Sequence, residues 1–126
     1  MTKTLLIVDD EDDIREVAEM SIELGTSWAV VTASSGATGV ARAAETKPDA
    51  ILLDVMMPGM DGPATLAALK GNDATQAIPI IFLTAKVRAS DRETLVALGA
   101  TAVLSKPFDP LELPQQIADA LGWGLS

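Results

Sequence analysis

Five short, nearly continuous apolar runs with amphipathic segments between them predict an α/β fold, a doubly wound (βα)5 sandwich on a five-stranded parallel sheet. Hydrophobicity that is continuous, not alternating, marks strands covered on both faces. Carboxylates and a lysine end three of the runs, at the sheet edge where doubly wound folds bind ligands.

The first strand is read at Thr4–Val8, where Leu5-Leu6-Ile7-Val8 runs into Asp9-Asp10. Ile14, Val17, Ala18 and Ser21 recur at helical spacing, and Gly25 stops that first helix. Ala29–Thr32 is the second strand. Val40, Ala43 and Ala44 mark a second helix that ends before Pro48. Ala50–Leu53 forms the third strand and delivers Asp54. Leu66 and Leu69 mark a third helix, with Asp61 as its cap and Gly71 as its stop. The fourth strand is expected at Ile78–Leu83, before Thr84. Ser90-Asp91-Arg92-Glu93 reads as a capping box for a fourth helix running to Gly99. Ala102–Leu104 is the last strand and leads to Lys106-Pro107. Asp109-Pro110-Leu111-Glu112 is expected to open the fifth helix, with Ile117 and Leu121 on its buried face and Pro114 delaying or bending its start.

Composition removes several functions. The 126 residues suffice for one domain with a substantial core, and with 48% apolar and 21% charged residues they fit an ordinary globular chain. No apolar run approaches the roughly 18 residues that a membrane span needs, and the acidic start does not suit a signal peptide. A formal net charge of −9 makes the chain a poor partner for nucleic acid or anionic lipid. Eight of the 18 acidic residues, Asp9, Asp10, Glu11, Asp12, Asp13, Glu16, Glu19 and Glu23, fall in one segment. A solvated helix face accounts for Asp12 through Glu23 but not for Asp9 and Asp10 at a strand end. Without cysteine there is no disulfide framework or thiolate metal site. Without histidine the chain has no Ser-His-Asp or Cys-His pair and cannot itself be a phosphohistidine donor. Its chemistry must use carboxylates, hydroxyls and lysine.

Asp54 is the most informative residue. A carboxylate at the end of a buried strand, before Val55-Met56-Met57-Pro58-Gly59-Met60-Asp61-Gly62, is costly to bury without a partner. Asp9 and Asp10 reach the same edge, and the three carboxylates suit Mg2+, which takes hard oxygen ligands. The backbone carbonyl of Met56 is a natural further ligand. Helix capping by Asp9 or Asp10 is the structural alternative. Asp54 also suits nucleophilic attack on phosphorus, with the metal neutralising the transferring oxygens. Lys106 and the Thr84 hydroxyl are suited to the phosphoryl oxygens. Lys106-Pro107 is a candidate cis bond.

Val8-Asp9-Asp10-Glu11, Leu53-Asp54 through Gly62, Pro79 through Ala85 and Ser105-Lys106-Pro107-Phe108 together resemble the receiver domain of two-component response regulators, in order and spacing, over essentially the whole chain. The resemblance implies a flavodoxin-like sheet in the order 2-1-3-4-5 and phosphoryl transfer from a partner's histidine to Asp54 with Mg2+. It assigns Asp9 and Asp10 to the metal, Thr84 and Lys106 to the phosphoryl group, and a cis bond to Lys106-Pro107. The implied partners are a sensor histidine kinase or a histidine phosphotransfer protein, and a downstream protein that reads the face of the fourth helix, fifth strand and fifth helix. A cytoplasmic location is expected, with residues 1–126 as a single receiver domain and no output domain, either stand-alone or taken from a longer protein.

One position departs from the family. Three residues before the lysine, where Tyr or Phe is common, stands Val103. Without that ring, output is expected to be weaker or to run through the Lys86–Ser90 loop and the fourth helix. Met56 and Lys86 are expected to flank the site. A constitutive, phosphorylation-independent binding module is the alternative that Val103 favours. Turnover of outside substrates by a phosphatase is disfavoured, since such enzymes use a second carboxylate two residues past the nucleophile, where this chain has Met56. No Gly-rich phosphate loop follows the first strand, which disfavours nucleotide binding.

Overall fold

The computed structural model describes residues 2–85 and 88–126, so the Lys86 flanking position and part of the Lys86–Ser90 loop lie outside the described residues. Five strands alternate with five helices: β1 Thr4–Val8, α1 Asp12–Gly25, β2 Ala29–Ala33, α2 Gly36–Thr46, β3 Ala50–Asp54, α3 Gly62–Lys70, β4 Ile80–Thr84, α4 Ala89–Ala97, β5 Ala102–Ser105 and α5 Leu113–Leu121. All neighbouring strands are parallel, in the order β2-β1-β3-β4-β5. The predicted fold class and the strand order implied by the resemblance are both found.

The continuous apolar runs are explained by the two layers that cover the sheet. Leu5 and Ile7 of β1 and Leu52 of β3 face Ala18 and Ile22 of α1 and Leu113, Ile117 and Ala118 of α5. Leu6 and Val8, with Ile51 and Leu53, face Ala43 of α2, Leu66 and Leu69 of α3 and Leu95 of α4. Every residue of β3 and β4 is buried. At about 25 cal/mol per Å2 of apolar surface, this burial dominates the stabilisation. Trp28 and Trp123 meet edge to face, with centroids 4.9 Å apart. Trp28 lies just before β2, at the sheet edge opposite Asp54.

Local signals set most element ends. Asp61 caps α3, its Oδ1 accepting from the Ala64 N–H at 2.9 Å, and Gly71 follows the helix, both as expected. α2 ends at Thr46, before Lys47 in the left-handed region and then Pro48. Gly25 closes α1 beside α5: a β-carbon there would come within 2.8 Å of Pro114 Cγ.

β2, β3, β4 and β5 each run one residue further than the reading of the sequence, to Ala33, Asp54, Thr84 and Ser105, and α4 ends at Ala97, short of Gly99; three starts differ as well. β4 begins at Ile80, not Ile78, because the Ile78 N–H is used in a turn, donating to the Thr75 carbonyl at 3.1 Å, and Pro79 has no N–H to give. α4 begins at Ala89 with Arg88 as its N-cap, so the Ser90–Glu93 capping box does not form. Ser90 is already helical, and its carbonyl accepts from the Thr94 hydroxyl at 2.9 Å. α5 begins at Leu113, since Asp109 holds a turn of its own: Oδ1 accepts from Leu111 N–H and its carbonyl from Glu112 and Leu113 N–H, all at 2.9 Å. Pro114 then occupies a first-turn position, where no amide hydrogen is needed.

Candidate functional site

The C-terminal ends of β1, β3, β4 and β5 lie side by side, so Asp9, Asp54, Thr84 and Lys106 converge without any long loop. Asp54 is the last residue of β3 and is only 3% exposed; Asp9 is 2% and Thr84 1% exposed. Gly62 lies hard against this strand end: its N–H donates to the Val55 carbonyl at 2.8 Å, and an added β-carbon would meet the Asp54 carbonyl oxygen at 2.6 Å and Val55 Cα at 2.7 Å. Both are backbone atoms that cannot swing away. Gly62→Ala is therefore expected to lower stability by roughly 1–3 kcal/mol, read as a lower urea midpoint; an unchanged midpoint would show that the β3–α3 loop yields.

Lys106 is the only ammonium in ionic contact with the cluster among the described residues. Its Nζ lies 3.1 Å from Asp54 Oδ1, 3.1 Å from Asp9 Oδ2 and 3.6 Å from Glu11 Oε1. The Lys106-Pro107 bond is cis, as the resemblance implied. Carboxylate oxygens of Asp9, Asp10, Glu11 and Asp54 all lie within 4.8 Å of one another. Glu11 was not singled out from the sequence, although it directly follows the Asp9-Asp10 pair. The capping alternative is not found: Asp9 Oδ1 accepts from Glu11 N–H at 2.9 Å, a turn ahead of the helix. α1 itself starts behind Glu11 without a side-chain cap.

Buried Asp10 Oδ1 and Asp54 Oδ2 accept no hydrogen bond from the described residues, and Asp9 Oδ2 faces only the Lys106 ammonium, at 3.1 Å. Unsatisfied buried oxygens on crowded carboxylates raise the energy of the ionised forms. Burial, reinforced by the Asp9 charge and the Asp10 carboxyl, pushes the Asp54 pKa up to about 6, although Lys106 draws it down. Burial alone would lower the Lys106 pKa, but bonding to Asp54 and Asp9 outweighs it and leaves the ammonium above its ordinary value. Such a donor set, crowded hard oxygens with few hydrogen-bond donors around them, fits Mg2+. Asp9, Asp10 and Asp54 would hold it, and their repulsion would be relieved on binding.

Thr84 and Lys106 are coupled through the backbone: Lys106 N–H donates to the Thr84 carbonyl at 2.9 Å. Thr84 lies opposite Ser105 in register, and Val103 opposite Phe82. Val103 is buried. Met56 is 66% exposed beside the site. Together with Asp61, Thr84, Asp91 and Leu95 it lines a cavity of about 280 Å3.

A five-unit βα sandwich with acids just after β1 and at the end of β3, and a lysine after β5, defines a receiver. The chain belongs to the response regulator receiver domain family of two-component systems, whose family model matches residues 5–118. It is 38% identical over 119 residues to the phosphate regulon transcriptional regulatory protein PhoB of Pseudomonas aeruginosa, covering 94% of this chain and 52% of that one. The chain thus spans about half the length of that relative. Protein PilG of the same organism is 35% identical over 109 residues, 86% of this chain and 80% of that one. Among solved structures, the chemotaxis protein CheY4 of Vibrio cholerae superposes with a TM-score of 0.88 at 29% identity, covering 95% of this chain and 99% of that chain.

Proposed function

We propose that this domain is a phosphoacceptor switch, in which Asp54 takes a phosphoryl group from a partner's phosphohistidine. The observation that carries this reading is the buried Asp54 carboxylate, paired to Lys106 at 3.1 Å and crowded by the carboxylates of Asp9 and Asp10. An Asp54 carboxylate oxygen attacks phosphorus as the donor's P–N bond breaks. An aspartyl phosphate forms on Asp54, and the neutral imidazole stays with the donor. Asp9, Asp10, Asp54 and the Met56 carbonyl would hold Mg2+, which would supply charge neutralisation on the phosphoryl oxygens. Lys106 exchanges its Asp54 contact for a phosphoryl oxygen, and the Thr84 hydroxyl donates to another. Hydrolysis by water returns Asp54 to its starting state, so the domain acts only on itself.

The added charge next to Thr84 and Lys106 biases the α4–β5–α5 face, which a downstream protein reads. The partners are a sensor histidine kinase or a histidine phosphotransfer protein and that target, with no direct role for nucleic acid. Among the described residues no helix is long and apolar enough to cross a membrane; the cytoplasmic location rests on the family reading. Val103 favours a second reading, a constitutive binding module that no longer switches.

Incubation with acetyl phosphate followed by intact-mass measurement separates the two. The switch gains one phosphoryl group only when Mg2+ is present. A folded protein with no gain at any Mg2+ concentration would support the constitutive module instead.

A further inference from the structure

α4 is the most weakly held helix of the sandwich. It starts without a side-chain cap and buries a single residue, Leu95, whereas α3 buries four. Among the described residues, the side-chain hydrogen bonds that tie it to the sheet come from one residue. Arg92 Nη1 donates to the Val103 carbonyl at 3.0 Å, and Arg92 Nη2 donates to Ser105 Oγ at 3.0 Å. Both acceptors are on β5, the edge strand. Val103 is the position where the family often carries an aromatic ring. Ser105 stands opposite Thr84 and directly precedes Lys106.

We infer that Arg92 is a positioning residue that carries the state of the Thr84–Lys106 pair into α4, in the role the absent ring would otherwise fill. The inference rests on the proposed function and adds its route to the output face. A shift of Thr84 or Lys106 moves Ser105 through the β4–β5 pairing. The planar guanidinium holds Ser105 and Val103 together, so α4 must follow β5 or lose one of the two bonds. Lysine cannot bridge both acceptors in that fixed geometry. A simpler role, satisfying one carbonyl on an edge strand, would be the same with and without phosphorylation.

Amide hydrogen exchange over residues 88–105, before and after phosphorylation by acetyl phosphate and Mg2+, distinguishes the two roles in wild type, Arg92→Lys and the milder Ser105→Ala. Intact mass on the same samples reports phosphoryl uptake. Wild type is expected to change its α4 exchange on phosphorylation. Both variants take up the phosphoryl group as wild type does, but α4 exchanges about tenfold faster before phosphorylation, the scale of one lost bond from a charged donor. Their phosphorylation-dependent change at α4 is lost. A change of wild-type size in both variants would overturn the inference while leaving the proposed function standing, and so would a phosphorylated wild type whose α4 does not respond. Failure of wild type to gain mass would overturn the proposed function and the inference with it.

Discussion

Asp54→Asn is expected to abolish phosphoryl uptake and, in the metal-free protein at neutral pH, to make the fold more stable. Both effects have one cause. Asp54 is buried among Asp9 and Asp10, with Lys106 as its one cationic partner among the described residues. Its pKa therefore rises from 3.8 to about 6. A raised carboxyl pKa means that the folded state binds its proton more tightly than the unfolded chain does. The stability this contributes is fully present below the unfolded value and is lost as pH rises through the folded value. Deprotonation between about pH 4 and pH 6 thus costs the native state on the order of 3 kcal/mol. Asparagine keeps the shape and removes the charge. Urea unfolding of both proteins across that pH range should show the mutant's advantage growing as pH rises and levelling off near neutrality. A difference independent of pH would mean that Asp54 does not bear the cost of the crowded acids. Mg2+ should narrow the gap, since it stabilises the wild type at the same oxygens.

Lys106→Met has the opposite sign. Among the described residues the ammonium is the one cation that pairs with both Asp9 and Asp54, at 3.1 Å from each. Removing it leaves two buried carboxylates facing each other without a cation, and breaking a buried pair from one side costs roughly 3–5 kcal/mol. We expect a loss near the lower end at neutral pH, since Lys106 retains some exposure and the carboxylates can take up protons. Mg2+ binding should survive, because the acids that hold the ion remain, and its stabilising effect should be larger than in wild type. The conformational response to phosphorylation should be impaired. Parallel urea titrations with and without Mg2+ test the first half, and hydrogen exchange at α4 and β5 the second. An unaltered response would remove Lys106 from the role proposed for it.

The parts of this molecule that were legible in its sequence are those fixed by local chemistry. Continuous Leu/Ile/Val runs marked strands buried on both faces, and the carboxylates at their ends stood out because burying them is expensive. Asp61 was readable as a cap from its position alone. The misplaced starts fall where two local signals compete. Ser90 with Glu93 resembled a cap, but the helix had already begun at Ala89. Asp109 resembled a helix start but closed its own turn. Ile78 looked like strand until Pro79 broke the hydrogen-bond ladder ahead of it. Two contacts were out of reach because they depend on tertiary placement. Arg92 reaches β5 across 11 and 13 residues of sequence. Glu11 approaches Lys106 only because β1 and β5 end at the same sheet edge.

The central claim is that Asp54 itself carries the phosphoryl group. Borohydride reduces an aspartyl phosphate to homoserine and leaves free aspartate untouched. Reducing the protein after treatment with acetyl phosphate and Mg2+, then mapping the peptides by mass, should place homoserine at position 54 and at neither Asp9 nor Asp10. Homoserine at another aspartate, or a phosphorylated protein without homoserine at 54, would contradict it.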